Sequence, residues 1–409
     1  QLKADFIAYL DGFSPNVQEI LQKFQFRNQI DTMIDADILG AVIEKFVSKE
    51  INLSPNPVYV DDSKKEIKLP GLDNHAMGTI FEELIRKFNE ANNEEAGEHY
   101  TPRDVVELMA DLVFMPVKDQ IKDATYSCYD GACGTGGMLT VAQDRLLELA
   151  EETGKQVSIH LFGQELQPET YAICKADMLL KGDGKQAEHI SYGSTLSMDG
   201  NASRQFDFML SNPPYGKTWK VDAEKMGGKK DILDSRFNAY LEDGTQLSMI
   251  PRVNDGQLLF MLNNVAKMKT DTPLGSRIAE VHNGSSLFTG DAGSGESNAR
   301  RYLIENDLVE AVIALPEKMF YNTGIGTYIW VLTNKKEERR KGKIQLIDAT
   351  SLKSPLRKNM GEKNCELTPE LRSEIMDIFI EMKECEISRI FDNHEFGYWS
   401  ITVERPLRL

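Results

Sequence analysis

The sequence predicts an α/β protein, a doubly wound sheet preceded by an α-helical N-terminal region. Three observations lead there. Apolar residues recur at helical spacing through residues 15–50. From about residue 120, β-type runs alternate with helical runs, the pattern of a parallel sheet with crossover helices. A glycine-rich turn joins the first strand of that alternation to its first helix, where doubly wound sheets carry a binding loop.

The N-terminal helices are read from PNVQEILQKF through ADILGAVIEKFVSKE and from MGTIFEELIRKF at 77–88, so residues 1–95 are expected to be helical. No initiator Met opens the chain, and this region reads as shortened. The sheet begins with ATYSCYD (124–130), followed by GMLTVAQDRLLELAEE (137–152), SIHLFGQEL (158–166), PETYAICKADMLLKG (168–182) and FDFMLSN (206–212). The pattern continues through GQLLFMLNNVAKM, RIAEVHNG, ARRYLIEND, LVEAVIAL and TYIWVLTN, giving a second domain over 96–345. Beyond it, Thr368 and Pro369 start a helix, PELRSEIMDIFIEMKECE, and YWSITVERPL reads as a closing strand. Residues 346–409 are expected to form an extension suited to docking a partner.

Bulk properties narrow the function. The 409 residues are 41% hydrophobic with no apolar run of membrane length, so no membrane association is expected. QLKADFIAYL has no secretory signal pattern. The five cysteines form no C-x-x-C pair and the six histidines show no ligand spacing, which predicts reduced thiols, no metal site and a cytoplasmic location. The formal net charge is −17, whereas a chain gripping nucleic acid unaided carries a basic face. An enzyme of nucleic acid with this balance would borrow affinity from a partner. Local basic clusters stand at Lys225, Lys229, Lys230 and over 335–341.

The strand run FDFMLSN leads into SNPPYGK, residues 211–217. Prolines fix φ, lack an N–H and force the residue before them into extended geometry, so Asn212 and Pro213 are held rigidly out of any helix. The Asn212 side-chain oxygen and the Pro213 carbonyl are two fixed acceptors for the two hydrogens of a planar amino group. Pro214 stiffens the loop, and Tyr215 supplies a flat face for the ring carrying that amine. An ordinary turn after a strand has the same composition.

The glycine turn is YDGACGTGGML, residues 129–139. It has neither the Gly-Lys-Ser/Thr ending of a phosphate loop nor the G-x-G-x-x-G dinucleotide fingerprint. Asp130 opens it, which disfavours a pyrophosphate and favours a cationic ligand. S-adenosylmethionine, with a sulfonium and an ammonium group, fits. Glu165 ends the second strand, where doubly wound folds place a carboxylate for ribose hydroxyls. Upstream, Thr101 is expected to cap the helix PRDVVELMADLV, with Pro102 at its first position.

In order, E98-H-Y-T-P-R103, D130-G-A-C-G-T-G-G137, E165 and N212-P-P-Y215 resemble the amino-group DNA adenine methyltransferases. More narrowly, MGTIFEELIRKF with GEHYTP, the segment 276–316 and the ending FDNHEFGYWSITVERPLRL resemble the modification subunits of type I restriction systems. The resemblance runs from about residue 70 to the end. It implies a Rossmann-like S-adenosylmethionine-dependent methyltransferase domain that methylates the N6 of an adenine flipped out of DNA. Catalysis would fall to Asn212, Pro213, Pro214 and Tyr215. Cofactor contacts would come from Glu98, His99, Tyr100, Thr101, Pro102, Arg103, Asp130, Ala132, Cys133, Gly134 and Glu165. The implied partners are double-stranded DNA, a specificity subunit shared by two copies of this chain, and a restriction subunit. One departure is G193-S-T-L196, where relatives carry an acid at the place of Ser194; Asp183 is a weak substitute. A protein-glutamine N-methyltransferase and a non-catalytic assembly subunit stay open as alternatives, because a glutamine amide is also a planar nitrogen.

Overall fold

The computed structural model describes residues 1–61, 64, 66–72, 77, 80, 84, 101–181, 184–240, 244–321 and 323–404. Within the expected helical region lie α1 (Leu2–Asp11), α2 (Pro15–Lys23), α3 (Phe26–Asp35) and α4 (Leu39–Phe46). They share a small core of Leu10, Ile30 and Leu39. The region is not wholly helical, since Val58–Tyr59 pairs antiparallel with Ile67–Leu69. The helix expected at 77–88 lies largely outside the described residues.

A nine-stranded sheet forms the body. Its strands in chain order are β1 (Ala124–Asp130), β2 (Val157–Glu165), β3 (Ile190–Tyr192), β4 (Phe208–Ser211), β5 (Arg277–Asn283), β6 (Val309–Ala314), β7 (Thr327–Thr333), β8 (Lys343–Asp348) and β9 (Ser388–Asp392). Across the sheet the order is β3-β2-β1-β4-β5-β7-β6-β8-β9. The four pairings from β3 to β5 are parallel. The doubly wound α/β class is therefore as expected, but the sheet is mixed rather than parallel: β7 runs antiparallel between β5 and β6, and β9 pairs antiparallel with β8. Twelve residues lie between the ends of β6 and β7, which pair antiparallel as neighbours.

Strand residues alternate between two cores, as the period of two requires. Phe208, Leu210, Ala279, Val281, Ile329 and Val331 join the first, under α5 (Arg103–Phe114), α6 (Gly137–Glu152) and α7 (Pro168–Lys181). Met209, Ile278, Trp330 and Leu332 join the second, under α8 (Gln257–Ala266) and α9 (Gly295–Glu305). The N-terminal helices are tied to this body where Tyr171 and Lys175 of α7 donate to the Glu19 carboxylate of α2.

The C-terminal segment departs from expectation. The boundary at 345/346 falls inside β8, and β9 extends the same sheet. Helix α10 (Pro369–Glu381) starts as expected, with the Thr368 hydroxyl accepting from the Leu371 N–H, but it buries Ile375, Ile378 and Phe379 in the first core. Its apolar stripe is thus covered by its own chain. Residues 398–404 form no strand, and Trp399, Ile401 and Val403 stand exposed. Strand propensity alone does not make a strand; pairing and packing with neighbours decide it.

Candidate functional site

Strands β2 and β3 are added to one side of β1, and β4 to the other. That reversal opens a crevice at the carboxyl ends of β1 and β4, where ligands bind in open α/β sheets. A cavity of about 370 Å³ occupies the crevice.

The glycine turn forms one wall. Positive φ at Gly134 (55°) and Gly136 (86°) bends the chain from β1 into α6, and a Cβ at Gly136 would sit 2.8 Å from the Cys174 sulfur. The buried Asp130 carboxylate accepts from the Ala132 N–H at 2.9 Å and from the Ser211 hydroxyl at 2.8 Å, which joins the ends of β1 and β4. Burial pushes its pKa up to about 7, against the lowering effect of those two bonds. Glu165 at the end of β2 accepts from the Gly134 N–H at 3.0 Å and from the Gln167 N–H at 2.7 Å. Cys133 is buried with its sulfur 3.9 Å from that of Cys174, and both are free thiols.

Opposite lies the loop after β4. The Asn212 side-chain NH2 donates to the Thr101 hydroxyl at 3.0 Å, across the crevice. Its side-chain oxygen is buried and, among the described residues, has no hydrogen-bond partner. At the far end of the loop, Gly216 with φ of 68° donates its N–H to Asp255 Oδ1 at 3.2 Å. Asp255 is itself buried and accepts from the Gln257 side chain at 2.7 Å and from the Ser285 hydroxyl.

Of the expected site residues, Thr101, Arg103, Asp130, Ala132, Cys133, Gly134, Glu165, Asn212 and Pro214 line one cavity. Pro102, Pro213 and Tyr215 stand off its wall. Tyr215 is half-buried, and burial raises its phenol to about 12. Glu98, His99, Tyr100 and Asp183 lie outside the described residues. One expectation is corrected: α5 begins at Arg103 with Pro102, not Thr101, as the cap, and the Pro102 carbonyl accepts from Val105 and Val106. The Thr101 hydroxyl is engaged by Asn212 instead of capping the helix. Ser194 lines the cavity, with its hydroxyl accepting from the Leu196 N–H at 3.2 Å. Asp177, Lys217, Trp219 and Asp222 also line it, and sequence reasoning missed them along with Asp255. None carries a local motif; each is placed by the packing of a separate element.

The N-6 DNA methylase family pattern matches residues 72–404. The chain belongs to that family. It is 28% identical over 377 residues to the MjaIX type I restriction enzyme methylase subunit of Methanocaldococcus jannaschii, covering 90% of this chain and 59% of that relative. It is 29% identical over 348 residues to the MpnII methylase subunit of Mycoplasma pneumoniae, covering 82% of this chain and 56% of the relative. The chain thus spans somewhat under three fifths of these relatives. In fold it is similar to the methyltransferase subunit of a type I restriction-modification system from Streptococcus thermophilus, with a TM-score of 0.61 and 23% identity, covering 78% of this chain and 61% of that one.

N-6 DNA methylases use S-adenosylmethionine, and the cavity's donor set fits it. Asp130 and Glu165 set two carboxylates beside the glycine turn on the cavity wall, suited to a cationic ligand with a ribose. A pKa near 7 leaves Asp130 poised to ionise when a cation approaches.

Proposed function

We propose that this chain transfers a methyl group from S-adenosylmethionine to the N6 amino group of an adenine flipped out of double-stranded DNA. The observation that carries this reading is the orphan Asn212 oxygen. A buried acceptor without a partner costs about 1–3 kcal/mol, a penalty relieved when a donor enters. With its NH2 placed on the Thr101 hydroxyl, the amide leaves its oxygen to receive the amine.

The bound cofactor supplies a methyl group made electrophilic by the sulfonium. The chain's own residues do the positioning. Asn212 Oδ1 and the Pro213 carbonyl would accept hydrogen bonds from the two amine hydrogens, aiming the nitrogen lone pair at the methyl carbon, and the one proton made acidic by methylation would leave to solvent. Tyr215 offers a stacking face that offsets part of the few kcal/mol lost on flipping the base. Pro214 keeps the loop extended, and the Asp255–Gly216 bond holds its far end. Thr101, Arg103, Asp130, Ala132, Cys133, Gly134 and Glu165 would hold the cofactor, together with Glu98, His99, Tyr100 and Pro102 from the same upstream segment.

The curated relatives are methylase subunits of type I restriction enzymes, and by that likeness the chain would act with a specificity subunit and a restriction subunit, two copies per specificity subunit, in the cytoplasm. Five free cysteines accord with a reducing compartment. Among the described residues no helix is long and apolar enough to cross a membrane. The test is to incubate the chain with DNA and labelled S-adenosylmethionine, with and without a chain carrying target-recognition regions, and digest the DNA to nucleosides. Label in N6-methyladenine is expected. Label in N4-methylcytosine, or on a glutamine of an added protein, overturns the reading.

A further inference from the structure

The chain carries 47 basic residues against 64 acidic ones, yet one stretch beside the cavity reverses that balance. KTWKVDAEKMGGKK, residues 217–230, holds five lysines against Asp222 and Glu224. Its acids are engaged: Asp222 accepts from the Ser197 hydroxyl at 2.6 Å, and Glu224 pairs with Lys220 at 3.8 Å. All five lysines are exposed.

This segment is anchored from below rather than free. Trp219 is 3% exposed, its indole N–H donates to the Arg252 carbonyl at 2.9 Å, and its backbone N–H donates to the Val253 carbonyl at 3.0 Å. Ala223 and Ile232 are buried in the second core. Between them, Gly227 and Gly228 take φ of 98° and 101°, turning Lys229 and Lys230 outward. Lys217, Thr218, Trp219 and Asp222 line the cavity, so the segment starts at the cavity wall, and all five of its lysines are exposed to solvent.

We propose that residues 217–230 form a phosphate-contacting rim that holds the DNA backbone flanking the flipped adenine. This rests on the DNA reading above and extends it: part of the backbone affinity comes from this chain and not only from a partner. A flipped base must stay joined to its own strand, so the phosphates on either side of it lie at the mouth of the cavity that receives it. Lysines there meet those phosphates, while the acidic balance of the chain as a whole, net −17, discourages binding in other orientations.

The test uses the full chain and a triple variant, Lys225→Gln, Lys229→Gln and Lys230→Gln, whose exposed positions leave the core and the cavity wall intact. The probe is a fluorescent duplex with one unpaired adenine, followed by anisotropy from about 50 mM salt upward. S-adenosylmethionine affinity should be equal in the two proteins. Duplex affinity should fall about tenfold or more in the variant, and the slope of log K against log salt should flatten by about two to three, near 0.9 for each phosphate that is no longer neutralised. Unchanged affinity and slope overturn the rim, as does a wild-type chain without affinity for the duplex at the lowest salt. Failure of the underlying reading looks different: methyl transfer to a glutamine peptide with none to DNA. A variant that loses affinity for an acidic peptide but not for the duplex would make the rim a protein-docking surface and defeat the proposal.

Discussion

On the glycine-turn side of the cavity, the polar groups bond to one another: Gly134 donates to Glu165, Ala132 and Ser211 donate to Asp130, and Cys133 N–H donates to the Gln164 carbonyl. On the Asn212 side, the loop is held at both ends, by Thr101 and by Asp255, yet the Asn212 oxygen has no partner among the described residues. The difference teaches how one crevice would serve the two ligands proposed for it. A wall satisfied by its own hydrogen bonds keeps its shape and offers remaining lone pairs, which suits a resident cofactor. A rigid loop with one unmet acceptor has a defined place for a donor, which suits a target that comes and goes.

The largest expected effect tests whether the two sides are separable. Asn212→Ala should lower methyl transfer by at least about a thousandfold, since positioning supplies most of the rate, while leaving the cofactor dissociation constant within about threefold. Equal loss of both, measured by single-turnover assay and calorimetry, would merge the sides.

Asp130 sharpens the comparison through pH. Its folded pKa is raised from 3.8 to about 7, so the folded state binds a proton that the unfolded chain releases between those values. Stability of the free protein should therefore fall as pH rises from about 4 to 7, by up to about 4 kcal/mol at about 1.4 kcal/mol per pK unit. Asp130→Asn should flatten the denaturant midpoint across that window. The cationic cofactor favours the carboxylate, so its affinity for the wild-type protein should climb over the same range. A midpoint profile identical in the two proteins would place the titration elsewhere.

Asp255 lies outside the cavity wall and acts through Gly216. Asp255→Ala should reduce kcat about a hundredfold, the scale of a misplacement of about 1 Å, without altering cofactor binding. Asp255→Asn, which keeps the acceptor for Gly216, should recover most of kcat. If Asp255→Asn is as slow as Asp255→Ala, the carboxylate has a role beyond holding the loop.

Glu165→Ala should weaken cofactor binding by about 1–3 kcal/mol, the range for a charge-assisted hydrogen bond together with the Gly134 N–H it leaves unpaired. Transfer at saturating cofactor should change little, and a large fall in kcat there would tie this wall to the target. Smallest of all is Tyr215→Phe. Stacking uses the ring face, and the phenol stays protonated up to about pH 12, so the rate and its pH profile should match wild type up to about pH 10.

Much was legible without coordinates because it is local. The strand ATYSCYD, the helix GMLTVAQDRLLELAEE and the helix start at Thr368–Pro369 coincide with β1, α6 and α10, since alternation, helical spacing and capping are relations between near neighbours. Proline stiffness at 212–215 and the acid at the head of the glycine turn are likewise properties of short stretches. Reversal of β7 could not be read from the β-type runs, because alternation sets a strand's two faces and not its direction. Residues 398–404 have strand composition but form no strand, because strand propensity counts only where pairing and packing with neighbours support it.

What only the tertiary structure decided are bonds between residues far apart in the chain. Asn212 meets Thr101 across 111 positions, Ser211 meets Asp130 across 81, Gly216 meets Asp255 across 39 and Gly134 meets Glu165 across 31. No periodicity or spacing encodes them, because each depends on where the sheet reverses its winding and which strand ends it brings together. By itself the sequence determined which chemistry was present: two acceptors, two carboxylates and a glycine turn. The fold determined which of those groups are satisfied within the chain and which one, the Asn212 oxygen, is left for a ligand, because hydrogen-bond satisfaction depends on neighbours in space.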